Sequence, residues 1–187
     1  MRLFVALEIP SAVRDNLAAM IRDMRPLAPQ CKWVRAENLH VTLKFIGETR
    51  PENLGAIGRG LSSVRSKQNV DVHFLGLGFF PNEKRPSVLS AGVEASTNLR
   101  TLAGNIDRVL EAIGIPREER AFTPHLTLAR LKDSGLPVKL RTAIQQNATR
   151  DFGAFKTHEF HLIESNLKPS GAEYTKLQSF SFGAAEA

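Results

Sequence analysis

Two short strings carry the chemistry available to this chain. His40-Val41-Thr42-Leu43 and His125-Leu126-Thr127-Leu128 repeat one pattern, His-x-Thr-Leu, at an offset of 85 residues. In a chain with 5 histidines, that pattern is expected by chance only about 0.03 times. Residues i and i+2 of a strand share a face. His40 and Thr42 therefore share one face, as do His125 and Thr127, while Val41, Leu43, Leu126 and Leu128 turn toward a core. An imidazole titrates near neutrality and can take or give a proton. Two imidazoles flanking one cleft suit in-line cleavage of a phosphodiester. A neutral ring takes a proton from water, and a protonated ring donates to the departing ribose oxygen on the far side of phosphorus. The two threonine hydroxyls can donate to the non-bridging phosphate oxygens. This scheme needs no organic cofactor and no metal. Neither motif has a carboxylate or third histidine at ligand-like spacing beside it.

The elements that must hold these motifs are themselves repeated at the same offset. Arg2 to Glu8 falls on Ser87 to Val93, and both read as strands. Ser11 and Ser96 follow as expected N-caps. One helical stripe carries Val13, Leu17, Ile21 and Met24; its counterpart carries Leu99, Leu102, Ile106, Leu110 and Ile113. Gly114 and Pro116 stop the second helix. Thr49-x-x-Glu52 reads as a capping box ahead of Leu54, Ile57, Leu61 and Val64. The counterpart helix is expected over Lys139 to Thr149, with Leu140 and Ile144 inward. Further strands are expected at Val70 to Phe80, Phe155 to Leu167 and Glu173 to Phe182, and turns between Val70 and Val93, with Pro81-Asn82 in the connection, suggest antiparallel pairing there. The order β-α-β-α-β, written twice, predicts an α+β fold. It predicts two pseudo-symmetric lobes, each an antiparallel sheet backed by helices, with the active site in the cleft between them. Residues 1–187 form a single bilobed domain from an internal duplication, with repeat halves near 1–86 and 87–187.

Composition narrows the setting. Hydrophobic residues are 42% and charged residues 24% of the chain, as in globular proteins. No apolar run is long enough to span a membrane. The N-terminal apolar run is broken by Glu8 and lacks a cleavage pattern, so it reads as a strand of a cytoplasmic protein. A lone cysteine, Cys31, excludes an internal disulfide framework and reads as an inert thiol. The net charge of +6 suits a polyanionic partner such as nucleic acid, although the charges are scattered. One chain supplies both motifs, so a monomer is expected.

The paired motifs resemble those of the 2H phosphoesterase superfamily. Within it the chain is similar to the RNA 2′,3′-cyclic phosphodiesterase branch, historically called 2′-5′ RNA ligase. The flanks that carry the likeness are FVALEIP, HVTLKFIGE, FTPHLTLAR and the segment Ser165 to Leu177, with S-x-L followed by G-x-x-Y-x-x-L. The resemblance implies hydrolysis of an RNA or nucleoside 2′,3′-cyclic phosphate to a 2′-phosphomonoester, with no cofactor. It implies that His40 is the proton donor to the 3′ oxygen, that His125 is the proton acceptor from water, and that Thr42 and Thr127 bind phosphate. The quasi-symmetric motifs do not by themselves assign those two roles. It also implies weak joining or cleavage of 2′-5′ linked tRNA halves, the alternative activity. A non-catalytic RNA- or nucleotide-binding module is the other alternative.

Around the motifs, Phe45 and Arg130 occupy equivalent repeat positions. Phe45 can stack on a base, and Arg130 can pair with phosphate or stack. Strict alternation turns both away from the histidines, so contact with substrate requires a twist or bulge. Lys44 falls on the histidine face, toward the rim. Trp33 and Tyr174 are read as core residues. His158 and His161 face opposite ways and make a poor ligand pair, and His73 has no evident partner.

Overall fold

The computed structural model describes residues 1–131, 136–169 and 171–182. Nine strands and four α-helices are described: β1 (Arg2–Glu8), α1 (Ser11–Met24), β2 (Lys32–Trp33), β3 (His40–Glu48), α2 (Leu54–Ser62), β4 (Val70–Phe80), β5 (Val88–Ala95), α3 (Asn98–Glu111), β6 (Leu126–Arg130), α4 (Val138–Gln146), β7 (Asp151–Thr157), β8 (Glu159–Lys168) and β9 (Gly171–Ser181). They form two antiparallel sheets, ordered β3-β1-β8-β9 and β2-β6-β5-β4-β7. The α+β class and the two helix-backed antiparallel sheets are therefore as expected.

The sheets do not divide where the sequence repeat divides. β4 leaves the first half to pair with β5 of the second. β8 leaves the second half to pair with β1 of the first. Each sheet is thus built from both halves, and one continuous hydrophobic core runs beneath them, from Leu7 and Val41 to Leu126 and Phe160.

Helix ends depart from the sequence reading. Pro10 and Thr97, not Ser11 and Ser96, stand at the N-caps of α1 and α3, and neither end has a side-chain cap. The Ser96 hydroxyl instead donates to Asn98 Oδ1 and accepts from the Asp71 N–H, tying β4 to α3. The Thr49–Glu52 box does not form: Pro51–Asn53 make a 3₁₀ turn, and the Thr49 hydroxyl donates to the Gly47 carbonyl. Proline at the first position already lacks the N–H such a cap would satisfy. The strand expected over Phe155 to Leu167 is two strands, β7 and β8, folded at His158.

β3 and β6 each carry an extra residue at the same repeat position, and β3 carries a second at Ile46. Val5 opposes Lys44 and Ala6 opposes Thr42, so Leu43 has no partner on β1. Leu89 opposes Ala129 and Ser90 opposes Thr127, so Leu128 has no partner on β5. A bulge keeps two successive side chains on one side and resets the alternation beyond it. Leu43 and Lys44 both point into the core, as do Leu128 and Ala129. The expectation that Lys44 lies on the histidine face is thus corrected. Lys44 is 4% exposed, and its ammonium donates to Asp107 Oδ1 at 2.5 Å and to the Pro116 carbonyl at 2.7 Å. Asp107 also accepts from the Glu118 N–H and faces Arg117. This network ties β3 to α3 and to the segment that leads into His125.

Removing one partner of a buried pair leaves an uncompensated charge, at a cost of roughly 3–5 kcal/mol. Asp107→Ala should therefore lower unfolding stability by about that amount in chemical denaturation. The double variant Lys44→Met/Asp107→Leu should recover at least half of the loss. A double variant as unstable as Asp107→Ala would show that the ion pair is not the cause.

Candidate active site

The two His-Thr pairs line one cleft of about 540 Å³ between the sheets. His40 and Thr42 come from β3. Thr127 comes from β6, and His125 immediately precedes that strand. Each imidazole is held in the same way. His40 Nδ1 lies 2.7 Å from the Asn38 carbonyl, and His125 Nδ1 lies 3.0 Å from the Thr123 carbonyl. A carbonyl only accepts, so Nδ1 carries the proton in both rings and Nε2 is left for the cleft. Among the described residues neither threonine hydroxyl has a hydrogen-bond partner, so both are free to donate.

The surroundings of the two rings differ. His40 lies 4.8 Å from the Phe4 ring and 5.3 Å, edge-on, from Tyr174. Burial holds its pKa below the ordinary imidazole value. The hydrogen bond to the Asn38 carbonyl opposes this, while Arg130 and His125 push the same way as burial. His125 is stacked on Phe80, with centroids 3.9 Å apart and planes 9° apart. Tyr174 has its phenol pushed up by burial, with Arg130 and Arg2 pulling it down. It therefore stands in the cleft as a protonated hydroxyl.

The bulges decide the other two sequence candidates. Phe45 pairs with Phe4 and Arg130 pairs with Val88, and all four line the cleft. Phe45 is 54% exposed at its mouth, and Leu167 in the same lining is 70% exposed. Arg2 and Arg130 are the charged residues of the lining, and among the described residues no carboxylate joins them. The cleft is thus a positive, partly aromatic trough around two imidazoles. No described group of three or more His, Cys, Asp or Glu is arranged to hold a metal ion.

A model of the LigT like Phosphoesterase family matches the chain twice, over residues 7–90 and 92–174. The chain belongs to that family. The two matches begin at the repeat offset (92 − 7 = 85) and together span both halves of this phosphoesterase. It is 33% identical over 180 residues to an RNA 2′,3′-cyclic phosphodiesterase of Archaeoglobus fulgidus, covering 96% of this chain and 99% of that one. It is 35% identical over 194 residues to the Thermus thermophilus protein of the same name, covering 97% and 90%. The crystal structure of TT0787 of Thermus thermophilus matches with a TM-score of 0.79 at 32% identity, over 99% and 100% of the two chains. E. coli LigT complexed with 3′-AMP matches with a TM-score of 0.77 at 23% identity, over 97% of each chain, which is a likeness of fold.

Some residues of this phosphoesterase's cleft lie in or beside the flanking motifs but are not read from the sequence as cleft residues. Tyr174 reads there as a core residue, but β9 pairs with β8 and delivers it beside His40. Phe4 and Phe80 do not stand out either. β1 is buried on both faces, so its apolar run gives no sign of which residues face the cleft. Trp33 does pack against the core, donating Nε1–H to the Ala28 carbonyl. His73, which has no evident partner in the sequence, bonds Asp151 at 2.9 Å, outside the cleft lining. His161 is buried against the Ser179 hydroxyl.

The His40 imidazole should titrate below the ordinary histidine value in an NMR pH titration of the free protein. Arg130→Gln removes a cation that opposes protonation, so it should move that titration to higher pH. An unchanged or lowered titration in the variant would contradict the assigned cause.

Proposed function

We propose that the protein hydrolyses 2′,3′-cyclic phosphates at RNA ends or on nucleosides to 2′-phosphomonoesters. The observation that carries the proposal is the matched presentation of two imidazoles in one cleft, each Nδ1–H tied to the carbonyl two residues before it. The curated relatives bearing the name RNA 2′,3′-cyclic phosphodiesterase agree with it.

In this reaction His125 Nε2 takes a proton from a water molecule, whose oxygen forms a new bond to phosphorus. The bond from phosphorus to the ribose 3′ oxygen breaks on the opposite side. His40 Nε2–H gives its proton to that oxygen, leaving a 3′ hydroxyl and a 2′-phosphomonoester. Proton exchange with solvent resets both rings. Thr42 and Thr127 hydroxyls hold the non-bridging oxygens as charge builds on them, and Arg130 and Arg2 supply a positive field. The order of the roles, His40 as donor and His125 as acceptor, follows the family resemblance. In the free protein His40 is disposed to be neutral. An arriving phosphate anion supplies the missing negative charge, so substrate binding and proton uptake at His40 are coupled. Phe45 offers its exposed ring to a base.

His40→Ala and His125→Ala should each reduce kcat/KM on a 2′,3′-cyclic nucleotide by about 10²–10⁴-fold, or about 2.7–5.4 kcal/mol of barrier, with an unchanged circular dichroism spectrum. EDTA should leave the rate unchanged. Full activity in either folded variant would end the proposal. The pH profile should be bell-shaped, and the limb belonging to His40 should stand at higher pH in kcat than in kcat/KM. A limb at the same pH in both would contradict the coupling of proton uptake to phosphate binding.

A further inference from the structure

A 2′,3′-cyclic phosphate can exist only at the 3′ end of a strand, so the rest of an RNA substrate must leave the cleft on its 5′ side. A second positive groove adjoins the cleft. Val34 lines the cleft and also walls a second groove of about 270 Å³ beside α1. That groove has an apolar floor of Ala18, Ile21 and Pro26 and carries Arg22 and Arg25. Both arginines are exposed, and neither side chain makes a hydrogen bond or ion pair with any described residue. Lys32 of β2 is likewise exposed and stands opposite Arg130 in the ladder, a further positive charge on the strand that leads to Val34. The Val34 N–H donates to the Leu128 carbonyl at 2.9 Å, which fixes the shared wall against the strand bearing Thr127. No carboxylate lines either cavity among the described residues. At the other rim the positive run ends, because Arg2 stands opposite Glu48 in the ladder.

We propose that this second groove holds the nucleotide immediately 5′ to the cyclic end, so that the preferred substrate is an RNA strand rather than a free nucleoside cyclic phosphate. The inference rests on the cyclic-phosphate reading above. Single-stranded nucleic acid is held by cations along its backbone and by flat or apolar surfaces under its bases. Arg22 and Arg25 meet the internucleotide phosphate, and the Ala18–Ile21–Pro26 floor lies under the base. Neither arginine lines the cleft that holds the reacting phosphorus, so their contribution belongs to oligonucleotide substrates alone.

The test compares 2′,3′-cyclic AMP with a pentanucleotide ending in a 2′,3′-cyclic phosphate, using the wild type and Arg22→Gln/Arg25→Gln. The double variant should lose about tenfold or more in kcat/KM on the pentanucleotide and stay within about twofold on cyclic AMP. The salt dependence of pentanucleotide binding should weaken by about 0.7 in logarithmic slope for each phosphate that is no longer neutralised. Equal loss on both substrates, or no loss on the pentanucleotide in a variant that melts like wild type, would overturn the second groove. A wild type that turns over cyclic AMP but prefers it to the pentanucleotide would overturn it too. A wild type that turns over neither compound would instead bring down the cyclic-phosphate reading.

Discussion

Everything in the cleft depends on one deformation of the antiparallel ladder, made twice. An ideal strand alternates its side chains without exception, and under that rule His40 and Thr42 cannot share a face with Phe45. The unpaired Leu43 and Leu128 break the rule at the same place in each repeat. Beyond each, the sense of inside and outside is reversed. Phe45 and Arg130 turn into the cleft, and Lys44 and Ala129 turn into the core. The small Ala129 brings no charge with it. Lys44 is tolerable only because Asp107, the Pro116 carbonyl and the surrounding network receive its charge. One backbone feature therefore sets the cleft lining beyond the His-Thr pairs and imposes the buried ion pair beneath it.

The same feature produces a cleft whose two halves match in position but differ in chemistry. Both imidazoles are oriented by a carbonyl two residues earlier, so their protonated nitrogens are held alike. Their neighbours are not alike. Phe4 and Tyr174 enclose His40, whereas Phe80 stacks flat on His125. Arg130 adds a cation felt by His40, and Phe45, its counterpart in the repeat, carries no charge. Burial and positive charge both disfavour a protonated His40 while the cleft holds no anion. In the proposed reaction the substrate's phosphate anion works against that bias. The asymmetry that the proposed acid and base roles call for thus comes from residues that differ around a repeated frame.

Much of this was legible in the chain. β1 and β4 begin and end where their apolar patterns do, and the helices follow their period of 3.6. The paired motifs locate the cleft because a spacing of two is a local property of a strand. The bulges were not legible. A single unpaired residue leaves no trace in composition, and the equivalent positions of Phe45 and Arg130 were only a hint that both turn inward. Tyr174 was missed for a different reason. Its place depends on β9 pairing with β8 and β8 with β1, contacts between residues far apart in the chain. The pairing of β4 with β5 was suggested by the turn at Pro81-Asn82, but the move of β8 to the first sheet was hidden for the same reason as Tyr174: the repeat shows which elements correspond, not which partners they choose. The expected serine caps failed because Pro10 and Thr97 begin the helices and Ser96 spends its hydroxyl on β4 and Asn98.

The proposed catalysis comes down to two Nε2 atoms meeting one phosphorus from opposite sides. A crystal structure of the protein with a nucleoside vanadate, whose trigonal-bipyramidal vanadium mimics the in-line transition state, measures this directly. The two apical oxygens should each lie within about 3 Å of a different imidazole Nε2, with Thr42 and Thr127 hydroxyls on equatorial oxygens. Both imidazoles on one side of vanadium, or one of them out of hydrogen-bond reach, would contradict the two-histidine mechanism.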